Sequence, residues 1–124
     1  MIKGIGTDII EPVRIEKALA GARFAARVYT DAERARIADA GAFAAQRAAG
    51  IFAGKEAAAK ALGSGFNGIG LRDVEVLADA AGAPVLRLYG GARARADELG
   101  VKRAFISISH IESAAVAFVV LEGD

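Results

Sequence analysis

A chain of 124 residues, 54% apolar and 25% charged, is sized for one globular domain, residues 1–124, with a core of its own. A formal charge of +1 lacks the basic excess of a nucleic-acid-binding protein, and the absence of cysteine excludes disulfides and thiolate metal sites. No apolar run is long enough to span a membrane and "MIKGIGTDII" lacks the layout of a signal peptide, so a cytoplasmic protein with no membrane association is expected.

Residues 2–10 read as a strand, with Gly4, Gly6 and Asp8 on one face and Ile5, Thr7 and Ile9 on the other. Alternate glycines mark close approach of another backbone or of a ligand. Pro12 suits the first turn of a helix whose Val13, Ile15 and Leu19 offer apolar contacts. "TDAE", residues 30–33, is a capping box, and a helix from about 31 to 40 is expected to stop at Gly41. The longest helix is expected over about 43–62, with Gly50 and Gly54 baring one face for close packing and Gly63 ending it.

Beyond it, 74–79 and 85–90 read as strands joined by a Gly-Pro turn, and 92–99 as a short helix ended by Gly100. Strands over 104–109 and 115–121, with five residues between them, suit an antiparallel hairpin. Without a strict strand–helix–strand rhythm, the class is α+β: a small antiparallel sheet packed with one long and several short helices.

"GSGFNG", residues 63–68, matches a dinucleotide-binding string but follows a helix instead of a strand, which inverts the context that motif needs. Asp8, on a partly buried strand face, needs a cation, a metal or local donors; a turn at the strand end would serve as well. Glu56 and Lys60, one helical turn apart, fit a surface ion pair. Yet their neighbours Phe52, Ala53, Ala57, Ala59, Ala61 and Leu62 are apolar, and the same face runs toward the Gly63–Gly65 loop, so a site wall is the alternative. His110, the only histidine, follows an alternating strand, where a structural hydrogen bond is the commoner role. Two carboxylates suit Mg²⁺, which keeps water and phosphate oxygens as its other ligands, better than zinc. Arginines crowd residues 14–47, which fits an acidic partner protein as well as it fits an Arg-rich surface.

"GIGTDIIEPVRIE", "FAGKEAAAKALGSG" and "SISHIESAAVAFVVLE", with "RVYTDAE" and "GAPVLRLYG" between them, resemble the holo-[acyl-carrier-protein] synthases of the 4′-phosphopantetheinyl transferase superfamily, over about residues 2–122. The resemblance implies an enzyme of fatty acid biosynthesis that moves 4′-phosphopantetheine from coenzyme A to a serine of apo-acyl carrier protein, releasing adenosine 3′,5′-bisphosphate. It implies Mg²⁺ held by Asp8 and Glu56, and Lys60 in proton transfer or phosphate stabilisation. His110 would join Asp8, Glu56 and Lys60 among the catalytic residues and help line the nucleotide site, with Gly63, Ser64, Gly65 and Pro84 bordering the coenzyme. Arg14 would meet the carrier protein, and a homotrimer with sites between subunits is implied as well. Three positions depart from the family pattern: Ile51 stands where Arg is usual, Ala83 where Lys is usual, and Pro12 where an apolar residue is usual. The first departure leaves a cationic contact missing or supplied from elsewhere, Arg47 being the nearest candidate one turn earlier. A non-catalytic binding module and a Mg²⁺-dependent nucleotide hydrolase are the competing classes.

Overall fold

The glycines of the first strand dictate how the rest packs. In the computed structural model, which describes residues 1–124, β1 (Ile2–Ile10) lies directly under α4 (Ala44–Ala61). A Cβ on Gly4 or Gly6 would collide with the backbone carbonyl of Ala61 or Ala57, so only bare backbone admits the helix this close. β1 pairs antiparallel with β5 (Ala115–Glu122), and β5 with β4 (Arg103–His110), giving a three-stranded sheet in the order β1-β5-β4. A second sheet pairs β2 (Val74–Ala78) with β3 (Pro84–Leu88).

α4 crosses the larger sheet with its glycines placed as their spacing predicts. Gly50 lies over Ile108 and Gly54 over Ile106 and Val76, each with no room to spare for a side chain. The helix is buried on nearly every side, which explains alanine all round instead of an apolar stripe. α1 (Pro12–Leu19), α2 (Ala22–Val28) and α3 (Asp31–Asp39) follow β1, and α5 (Gly90–Leu99) precedes β4. α2 had no counterpart among the sequence expectations. Val13, expected to make an apolar contact, is exposed, while Ile15 on the same helix is buried.

Registers across the sheet follow from alternation. Asp8 stands opposite Ala117, and Ala117 opposite Ile108, so all three share the face under α4. On the opposite face Ile5, Ile9, Phe105 and Phe118 are each more than half exposed, at 68%, 68%, 53% and 57%. The architecture is α+β, and no helix is long and apolar enough to cross a membrane.

Candidate active site

Asp8 reaches the edge of β1 where α4 passes with Glu56 and Lys60. Lys60 Nζ lies 3.2 Å from Asp8 Oδ1 and donates to the Thr7 carbonyl at 2.9 Å. Glu56 is half-buried beside them; burial first, then the charge of Asp8, raises its carboxyl above the ordinary glutamate value, while Lys60 opposes the rise. Two carboxylates crowded together beside one ammonium leave net negative charge in want of a cation. No third acidic or histidine side chain joins them to complete a closed metal cage. That donor set fits Mg²⁺, which takes one or two carboxylates and keeps its other positions for water and phosphate. The Gly63–Ser64–Gly65 turn begins just beyond Lys60; Gly63 and Gly65 take positive φ values of 74° and 57°, stopping the helix. Ser64 borders a cavity of about 340 Å³ with Asn67, Gly91 and Arg95.

His110 is elsewhere. It ends β4, on the far edge of the sheet from Asp8, with β5 between the two strands. Two strand spacings put them about 10 Å apart across the sheet before any offset along it. There His110 lines a cavity of about 570 Å³ with Arg36, Arg47, Gln46, Ile51 and Pro84. Within one chain the residues named from the sequence therefore form two groups, Asp8, Glu56 and Lys60 at one edge and Pro84, Arg47 and His110 at the other. The body of α4 lies between them.

Arg36, which sequence reasoning did not single out, strengthens the second group. Its Nη1 donates to the Val76 carbonyl at 3.0 Å, and Arg47 Nη1 donates to the Arg36 carbonyl at 2.9 Å. Burial, then the nearby Arg47 charge, lowers Arg36 from the ordinary arginine value. The Oε1 of Gln46 is buried here without a hydrogen-bond partner. Two guanidiniums and an imidazole around one cavity suit an anionic ligand. Ile51 is 2% exposed and packs with Ile15, Val28, Tyr29 and Val76 of its own chain, so its side chain belongs to the core and not to a contact with another subunit. An Ile51→Arg replacement would bury a charge there, and Arg47 remains the cation open to a ligand.

Lys55, adjacent to Glu56, points away from the carboxylates into the protein. Its ammonium lies 2.7 Å from Glu33 Oε1 with both side chains fully buried, and it donates to the carbonyls of Leu71 and Val74. Glu33 closes the predicted capping box through Thr30 N at 2.8 Å and also accepts from Val76 N at 2.8 Å. The capping glutamate is thus also the counter-ion that seats α4.

The sequence model of the 4′-phosphopantetheinyl transferase superfamily matches residues 4–119. The chain is 52% identical over 126 aligned residues to the holo-[acyl-carrier-protein] synthase of Solidesulfovibrio magneticus, covering 99% of this chain and 100% of that one. It is 51% identical to the synthase of Halorhodospira halophila, over 98% of both chains. Among solved structures, the Neisseria meningitidis synthase superposes with a TM-score of 0.89 at 37% identity, covering 98% of this chain and 99% of that one. The Bacillus anthracis synthase in complex with CoA (3′,5′-ADP) gives 0.84 at 39% identity, covering 100% and 99%. The fold and the full-length match define a phosphopantetheinyl transferase. Within that superfamily, the chain belongs to the holo-[acyl-carrier-protein] synthases.

Proposed function

We propose that this protein transfers the 4′-phosphopantetheine group of coenzyme A to a serine of apo-acyl carrier protein, giving the holo-carrier and adenosine 3′,5′-bisphosphate. The observation that carries the reading is the Asp8–Glu56–Lys60 group, at the edge of a chain about half identical to such synthases along its full length. In the reaction the serine oxygen forms a bond to the phosphorus next to pantetheine, the diphosphate P–O bond breaks to release adenosine 3′,5′-bisphosphate, and the hydroxyl proton passes to solvent water. Such transfer asks mainly for positioning and charge neutralisation.

Asp8 and Glu56 would hold Mg²⁺. When bound, Mg²⁺ neutralises the diphosphate and stabilises the phosphate that leaves. Lys60 stands at the same edge, 3.2 Å from Asp8 Oδ1, where it would clamp phosphate charge. Gly63, Ser64 and Gly65 follow Lys60 and would border the same substrate. Pro84, Arg47, Arg36 and His110 would hold the nucleotide end. Arg47→Ala is expected to weaken coenzyme A binding by about tenfold or more, the loss of a charge-assisted contact worth roughly 1.5–3 kcal/mol. Calorimetry with coenzyme A measures it, and unchanged affinity would return Arg47 to the solvated surface.

The separation of the two groups within one chain, together with the exposed apolar sheet face, supports a homotrimer whose sites lie between subunits. Ile5, Val120 and Phe105 stand side by side across that face, next to Phe118. An apolar patch of this kind marks an association surface. Phe118→Glu would then yield monomer by light scattering.

Arg14 and Lys17 on α1 and Arg23 and Arg27 on α2 are exposed, and none lies in an ion pair. This basic surface suits an acidic carrier protein. Arg14→Glu is expected to raise the KM for the carrier about five- to tenfold, the size of a roughly 1 kcal/mol rim interaction, with little change in that for coenzyme A. The difference should fade as salt is added; a KM for the carrier that is unchanged at every ionic strength would remove Arg14 from the docking surface. We also place the enzyme in fatty acid biosynthesis, in the cytoplasm, as one domain spanning residues 1–124.

Intact-mass measurement of apo-carrier incubated with the protein, coenzyme A and Mg²⁺ tests the function. A carrier heavier by one phosphopantetheine supports transfer. Nucleotide fragments with unmodified carrier indicate a hydrolase, and no change at all indicates a binding module.

A further inference from the structure

We propose that Lys60 is an internal competitor of the divalent cation: it occupies Asp8 until substrate draws it away, which makes cation and substrate bind cooperatively. The inference rests on the reading of Asp8 and Glu56 as metal ligands. Lys60 Nζ lies 3.2 Å from Asp8 Oδ1 and 2.9 Å from the Thr7 carbonyl, so the ammonium bridges α4 to β1 on the carboxylate that would hold a metal. Asp8 is mostly covered, with 18% of its side chain exposed, whereas Lys60 is 56% exposed. The carboxylate is the more enclosed of the two, and the ammonium has solvent into which it can turn.

A dication arriving at Asp8 and Glu56 meets this ammonium as a like charge a few ångströms away and as a rival for the Asp8 oxygen. Both effects weaken its binding to the free protein. An anionic substrate group at the same edge offers Lys60 another partner. Once Lys60 turns to that group, Asp8 is freed, and by linkage each of substrate and cation favours the other's binding. Lys60 thereby disfavours a cation bound without substrate.

No other cation is placed to take this part. Lys55 is turned inward onto Glu33, and Arg36 and Arg47 lie at the far edge of the sheet. Removing the charge of Lys60 should therefore tighten metal binding even while it harms catalysis, the reverse of what a residue that merely supports the site would do.

The test is titration of the substrate-free protein with Mn²⁺, counting free ion by electron paramagnetic resonance, for the parent, Lys60→Met, Lys60→Arg and Asp8→Asn. Lys60→Met is expected to bind Mn²⁺ roughly tenfold tighter than the parent at low ionic strength, a change of about 1.4 kcal/mol. The gap should narrow as salt is added, and Lys60→Arg should stay near the parent. Equal or weaker binding by Lys60→Met, or none at all, overturns the competition. If Asp8→Asn abolishes binding in that case, the metal reading survives; if Asp8→Asn binds like the parent, the metal reading falls and the competition with it. Thermal melts accompany the titration, and the exposed position of Lys60 predicts an unchanged midpoint.

Discussion

Asp8→Ala and Glu56→Ala are each expected to lower transfer by about a hundredfold or more while leaving the protein folded, the scale set by losing one group that stabilises charge in a transition state. Both carboxylates stand at an edge, Asp8 partly open beside Lys60 and Glu56 half-buried beside Asp8. Neither supports the core. Glu56 is itself strained toward its neutral form by burial and by the charge of Asp8, so Asp8→Ala should relieve that strain and leave thermal stability unchanged or slightly raised. The same shift gives a direction in pH. A carboxyl raised above its usual range must lose its proton to hold a cation, so metal affinity should climb through mildly acidic pH at values above the ordinary glutamate range. Turnover near that of the parent at limiting Mg²⁺, in either variant, would remove that carboxylate from the metal site.

Lys55→Met should act in the opposite way, chiefly on stability. It leaves Glu33 charged and fully buried with its cation gone, and breaking one partner of a buried pair costs about 3–5 kcal/mol. Lys55 also satisfies the Leu71 and Val74 carbonyls, which methionine does not. The second change, Glu33→Gln, removes the stranded charge and keeps an acceptor for Val76 N, so the double variant should recover part of the loss. Lys60→Met gives the contrast: turnover falls further than coenzyme affinity, with the melting point held. Denaturant unfolding and steady-state kinetics on the four proteins separate these effects. A Lys55→Met protein as stable as the parent would mean that the pair does not seat α4.

That division between adjacent lysines shows where sequence reasoning stops. The glycines at 4, 6, 50 and 54 announced close approach of some other segment, which proves to be the α4 backbone for the first pair and the side chains of Ile106, Ile108 and Val76 for the second. The capping box at Thr30 and the hairpin near the C-terminus were legible for similarly local reasons. Lys55 points away from the carboxylates into the protein, and its full burial against Glu33 is announced by no local pattern. Glu33 already had a local explanation as a capping residue, which hid its second partner, 22 positions later in the chain.

The site was legible residue by residue but not as an arrangement. Asp8, Glu56 and Lys60 could be joined because a strand and a helix packed on glycine bring them together. His110 was grouped with them, although the strand order β1-β5-β4 puts it at the opposite edge. Strand order depends on long-range pairing that no local pattern encodes. Arg36 went unnoticed for the same reason, since only the packing of α3 against α4 sets it beside Arg47. Ile51 was legible as a departure, but whether it faced solvent, another subunit or its own core required coordinates.

Mixed assemblies test most directly whether the carboxylates of one copy work with the cationic cavity of another. Asp8→Ala copies keep the cavity, and copies carrying both Arg47→Ala and His110→Ala keep the carboxylates. Each parent assembly should be severely impaired. Co-expressed with two different tags and purified through both, the mixed trimers should regain up to about a third of normal activity, because every closed ring of three that holds both kinds of copy has one interface of its three at which two intact halves meet. Mixed assemblies no more active than the sum of their parents would contradict a site shared between copies and confine the chemistry to single chains.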